Sequence, residues 1–151
     1  MSRKSASWKA RTEKNMSEEK KGLAPGLVGE AQVEVTEENT ALRYGSGLVP
    51  VFATPAMVGL MEGAAVNCAA PYLEEGTTTV GTRISVSHAA ATPVGLTVRA
   101  EATLTGVDGR RLIFAVKAWD DRELIGEGDH ERFIIKTAKF IDKANAKAAR
   151  G

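Results

Sequence analysis

The sequence predicts an α+β fold in which a curled, five-stranded antiparallel sheet wraps around one long central helix. Three observations carry this. From Tyr44 to Leu73 the chain is apolar with a single charged side chain, Glu62. From Thr79 to Ile135 it alternates with the two-residue period of strands. An Asp108-Gly109 pair divides that second half, as a hairpin turn does.

The elements follow in order. Residues 1–22 are polar, charged and aperiodic, and read as a disordered extension before a domain spanning 23–151. Ala31, Val33 and Val35 share one face of a first strand over 29–37, and a glycine-rich loop occupies 38–50. Thr54 as N-cap and Pro55 in the first turn open a helix that Pro71 stops near Ala70. This helix is apolar nearly all round, which predicts that other elements enclose it. Its Gly59, Gly63, Ala64 and Ala65 admit close packing. Strand 79–88 puts Val80, Ile84, Val86 and His88 on one face. Strand 96–107 does the same with Val98, Ala100, Ala102 and Leu104, and strand 111–119 with Leu112, Phe114 and Val116. In the last strand, 123–135, Gly126 and Gly128 mark a bulge or close approach. The tail 136–149 is a short helix with cations toward its C-terminus.

Composition narrows the function. Residues 1–15 hold Arg3, Lys4, Lys9, Arg11 and Lys14 against Glu13, whereas from Met16 onward 15 basic side chains face 18 acidic ones. The body is therefore acidic, which argues against a nucleic-acid partner. The apolar run 44–73 is broken by Pro50, Pro55, four glycines and Glu62, so it reads as a core helix and not as a membrane span. A single cysteine, Cys68, and no apolar leader predict a reducing, cytoplasmic location. Two histidines and one cysteine far apart give no metal-ligand pattern, and Gly45-Ser46-Gly47 matches no phosphate loop, so no cofactor is expected.

A carboxylate among apolar residues costs several kcal/mol unless it is paired or protonated. Glu62 is thus either a paired structural group or part of a site. Thr54, Glu62 and His88 are expected to converge. The helix amides would polarise a carbonyl, Glu62 would attack or activate water, and His88 would orient the acid or protonate a leaving group. Each has a plainer reading: Thr54 as a cap, His88 as a strand-end histidine, Glu62 as a buried structural acid. Cys68 reads as core, and His130 and Arg132, on one strand face, as exposed or ion-paired.

The segment VFATPAMVGLMEGAAVNCAAPYL, followed by GTRISVSHAAATPVGLTV, GRRL and GEGDHERFII, resembles the hotdog-fold thioesterases related to fluoroacetyl-CoA thioesterase. The likeness covers about residues 28–143. It implies a homodimer that hydrolyses an acyl-CoA substrate to a carboxylic acid and CoA. It also implies catalytic roles for Thr54, Glu62 and His88, and substrate contacts for Gly81 and Arg132. Where the fluoroacetyl-specific members carry two lid phenylalanines, this chain has Gly45 and Leu48. A generic short-chain acyl-CoA is the expected substrate. A non-catalytic acyl-CoA binding module is the alternative on the same fold. A hydratase is disfavoured, because Glu62 and His88 lie on separate elements.

Overall fold

Five strands and one long helix form in the computed structural model, which describes residues 22–149. The expected extension therefore lies, Gly22 aside, outside the described residues. The strands are β1 (Val28–Glu34), β2 (Thr77–His88), β3 (Thr97–Asp108), β4 (Arg111–Trp119) and β5 (Leu124–Lys136). The helices are α1 (Ala41–Tyr44), α2 (Thr54–Ala69) and α3 (Thr137–Ala149). The sheet order is β1-β3-β4-β5-β2, and every neighbouring pair is antiparallel. Both β1 and β2 are edges, because the chain passes through α2 between them and β2 returns to the far side.

The core lies between α2 and the concave face of the sheet. Met57, Met61, Ala64, Ala65 and Cys68 from the helix meet Val98, Ala100, Ala102, Leu104, Leu112, Phe114 and Val116. The alternation read from β3 and β4 is thus the alternation buried. Alanines at 64, 65, 100 and 102 let helix and sheet approach closely. Gly29 of β1 is closest of all: a Cβ there would overlap the Ala64 carbonyl oxygen and the backbone of Cys68. Gly29→Ala should therefore cost about 3 kcal/mol, the upper range for overpacking, seen as a lower midpoint in denaturant unfolding.

Several expectations shift. The first strand ends at Glu34, and a 3-10 turn over Glu37–Asn39 follows, held by a Thr36/Asn39 capping box. The loop after it contains α1. The hairpin between β3 and β4 closes with Asp108 paired to Arg111, so its two loop residues are Gly109 and Arg110, one later than the Asp-Gly pair suggests. In β2 the register shifts between Gly81 and Arg83. That bulge reverses the side-chain parity. Ile84, Val86 and His88 share the half-buried face as expected, but before the bulge it is Thr79 that is buried, so Val80 does not belong to their row.

The helix is also less enclosed than its apolar sequence implies. Pro55 and Gly59 are exposed and Val66 is only half-buried, leaving a stripe of α2 open in the single chain. No described helix is long and apolar enough to cross a membrane.

Candidate active site

The start of α2 places the first polar pair. Ala53, not Thr54, is the N-cap, with extended backbone and no side-chain cap bond. Thr54 is the first helical residue, so its hydroxyl is not spent on the helix amides. It lies instead 2.7 Å from Nδ1 of His88, the last residue of β2. The two elements meet because His88 pairs with Gly126, where a Cβ would fall 2.7 Å from Met57 Sδ and 2.6 Å from the Ser87 carbonyl oxygen. His88 Nε2 is shut off from solvent and has no hydrogen-bond partner among the described residues. Burial holds the His88 pKa below the ordinary histidine value, against a smaller opposing effect from the Ala90 backbone. Beside this pair opens a cavity of about 270 Å³, bordered by Ser46, Gly47, Val51 and Phe52.

Glu62 lies at a second cluster. Its Oε2 is 3.6 Å from Arg132 Nη1, with the arginine side chain 7% exposed and the glutamate 40%. Glu62 is paired, as one branch of the sequence reading had it, but the expectation of a carboxylate sunk in apolar surroundings is corrected, because it sits on the open stripe of α2. Arg132 is tightly held. Its Nε donates to Thr79 Oγ1 at 2.8 Å, its Nη2 to the Thr79 carbonyl at 3.0 Å and its Nη1 to His130 Nε2 at 3.1 Å. Arginine has only donors, so His130 Nε2 must accept. The His130 ring then carries its proton on Nδ1 and donates it to the Arg83 carbonyl, 2.8 Å away. His130 is 2% exposed, which corrects the reading of this residue as exposed or ion-paired. Arg132 is ion-paired as expected but buried.

Gly81 completes this cluster. A Cβ at that position would stand 2.6 Å from Glu62 Oε2 and 3.2 Å from Arg132 Nη1. A larger residue there would push the carboxylate away from β2. The bulge that follows Gly81 turns Thr79 and Gly81 toward the helix while keeping Ile84 to His88 inward. Thr79 and His130 were not singled out as site residues. The one visible signal was the His-x-Arg spacing on β5, which puts the His130 imidazole and the Arg132 guanidinium on one face.

Within one chain the expected triad splits in two. Thr54 and His88 touch, and Glu62, Arg132 and Gly81 touch, but the two groups stand apart. Eight residues of helix separate Thr54 from Glu62, a rise of about 12 Å. Seven residues of strand separate Gly81 from His88, roughly 20 Å.

Burial lowers the pKa of both His88 and His130, and at His130 the Arg132 charge adds to it. The folded protein therefore resists protons that the unfolded chain accepts near about 6.5. Stability is full above that pH, begins to fall as pH drops below it, and continues falling down to the depressed values. Thermal unfolding midpoints measured from pH 8 to pH 5 should decline over the acid half of that range.

The chain is similar to known proteins over most of its length. The profile of the fluoroacetyl-CoA-specific thioesterase family matches residues 35–138. A fluoroacetyl-CoA thioesterase from Streptantibioticus cattleyicolor is 52% identical over 101 residues, which is 67% of this chain and 73% of that protein. A solved variant of a fluoroacetyl-CoA thioesterase in complex with acetyl-CoA is 42% identical, with TM-score 0.79 over 83% of this chain and 98% of that one. A hot-dog-like protein from Thermanaerovibrio acidaminovorans is 25% identical, with TM-score 0.75 over 85% of this chain and 95% of that one.

Proposed function

The chain belongs to the fluoroacetyl-CoA-specific thioesterase family, hotdog-fold hydrolases of CoA thioesters, and from that premise we propose that it cleaves a short-chain acyl-CoA to the acid and free CoA through Glu62, Thr54 and His88. The observation that carries the reading is the held carboxylate. Arg132 pairs with Glu62 and leaves it partly open to solvent against Gly81, on the helix whose first turn carries the Thr54–His88 pair.

Two routes use this carboxylate. As nucleophile, Glu62 attacks the thioester carbonyl carbon, and the tetrahedral adduct collapses with departure of the CoA thiolate. Water then hydrolyses the resulting mixed anhydride, regenerating the carboxylate. As general base, Glu62 takes a proton from water, the oxygen attacks the same carbon, and the proton passes to the departing thiolate. In both, free amides at the N-terminus of the partner chain's α2 would stabilise the oxyanion. His88, held neutral by burial, is ready to orient the thioester or relay the proton, and Thr54 fixes its ring.

The working unit of this reading is a homodimer. Strand β2 is an open edge that carries His88 at one end and Gly81 near its middle. Antiparallel β2–β2 pairing about a two-fold axis would bring one chain's Thr54 and His88 to the other chain's Glu62, and would cover the open stripe of α2. The same pairing accounts for two polar clusters that do not meet within a chain. The single buried thiol of Cys68 supports a cytoplasmic setting.

Acetyl- and propionyl-CoA are the favoured substrates. Gly45 closes α1 in the left-handed conformation (φ 74°) and Leu48 is 91% exposed, so neither supplies an aromatic lid over the cavity. Free-thiol release should be followed over a panel running from acetyl-, propionyl- and fluoroacetyl-CoA to long-chain acyl-CoA. Turnover of the two-to-three-carbon thioesters is the expected result. Tight CoA binding with no thiol released over hours would replace this reading by the binding module.

A further inference from the structure

We propose that a basic groove between α3 and the β3–β4 hairpin docks the phosphorylated nucleotide end of CoA. The inference rests on the thioesterase reading and deepens it, by assigning the part of the substrate furthest from the chemistry.

The groove has a volume of about 370 Å³ and is lined by Arg110, Ile135, Lys136, Lys139, Phe140 and Lys143. Four of these six are cations and none is acidic, on a body whose acidic side chains outnumber its basic ones. Within α3, Lys143 lies four residues after Lys139 and three after Phe140, so helical spacing makes them neighbours on one face, and Lys136, the last residue of β5, stands just before the helix. Arg110 is brought across by the hairpin, which is tied to β5 where the Ile134 amide donates to the Arg110 carbonyl at 2.9 Å. None of the four cations forms an ion pair among the described residues. The single carboxylate of the helix, Asp142, lies outside the lining.

Helix-dipole compensation does not account for this arrangement. It favours cations at the C-terminal end, as with Lys147, and disfavours them at the N-terminal end where Lys136 and Lys139 stand. Like charges gathered around a hollow cost free energy that a bound polyanion returns. Phe140, 44% exposed beside the lysines, offers a flat apolar face to a purine ring.

Position selects the anion. Lys136 is on the same strand as Arg132, four residues further on, so the groove begins about 13 Å along β5 from the residue that holds Glu62. A thioester at Glu62 connects through the extended pantetheine arm to a diphosphate and a 3′-phosphate, and the groove lies within reach of that arm. A free mononucleotide without the arm would fit the same chemistry more weakly.

The test compares the full-length protein with its Lys139→Glu/Lys143→Glu form on two substrates. Acetyl-CoA carries the nucleotide, while S-acetylpantetheine has the same thioester and arm without it. Charge reversal should raise KM for acetyl-CoA about tenfold with kcat unchanged, and leave S-acetylpantetheine kinetics as they were. Raising the ionic strength should narrow the acetyl-CoA difference. An acetyl-CoA KM within about twofold of wild type, or an equal rise on both substrates, overturns the assignment. Calorimetric titration with CoA requires no turnover: about tenfold weaker binding by the double variant supports the groove, and equal binding overturns it. A wild-type protein that releases no thiol from either substrate would count against the thioesterase reading, with the titration still deciding the groove.

Discussion

Glu62→Gln is expected to lower the rate of CoA release from acetyl- or propionyl-CoA by about 10³-fold, the scale on which enzymes lose a general base or nucleophile. Glutamine keeps the size and one carbonyl oxygen, so it can still face Arg132 Nη1, now 3.6 Å from Oε2. It can still lie against Gly81, where no Cβ competes for the space. What it loses is the basic, nucleophilic oxygen. The folded structure should therefore persist, with unchanged circular dichroism and size in solution, while thiol release nearly stops. Full activity in that variant would remove Glu62 from the chemistry, and with it both routes proposed above.

Mixing two inactive variants should restore activity. If each site joins Glu62 of one chain to Thr54 and His88 of the other, a Glu62→Gln chain paired with a His88→Ala chain has one site with both defects and one with neither. Random re-pairing then yields about a quarter of wild-type turnover, since half of the dimers are mixed and half of their sites are whole. A site contained within one chain predicts no recovery, because every site retains a defect. The physical basis is the separation already described: His88 touches Thr54 and Glu62 touches Arg132, with roughly 20 Å of strand between the two groups. Recovery measured after dissociation and re-association, against each variant treated alone, distinguishes the two arrangements. Persistence of monomer in solution across working concentrations would count against the shared site as well.

Much of this architecture was legible in the chain because burial follows sequence period. The row Val98, Ala100, Ala102, Leu104 and the row Leu112, Phe114, Val116 are the inner face of the sheet, as their alternation requires. The glycines of the last strand do mark close approaches, Gly128 to the Ser85 carbonyl and Gly126 to Met57. Thr54, Glu62, His88, Gly81 and Arg132 were all named from the sequence, by the lone charge in an apolar run and by resemblance of the surrounding motifs.

Other features were not readable. An N-cap and a first helical residue differ by one position, so Thr54 looked like a cap until its hydroxyl was found on His88. One extra residue in β2 reverses its parity, which is why Thr79, and not Val80, is buried and able to hold Arg132. His130 looked polar enough for the surface, but a ring that accepts from Arg132 and donates to Arg83 is satisfied while buried.

The sequence by itself determined which residues form strand and helix, which faces they bury, and which acid, hydroxyl and imidazole are available for chemistry. Those properties depend on local period and on residue type. Tertiary structure alone decided that the acid is clamped by Arg132 and half-open to solvent, that the hydroxyl and imidazole form a pair away from it, and that β2 ends the sheet as an unpaired edge. Each of these depends on contacts between residues more than 20 positions apart, such as Glu62 with Arg132 and Thr54 with His88. No local pattern encodes such distances, because they are set by how helix and sheet pack.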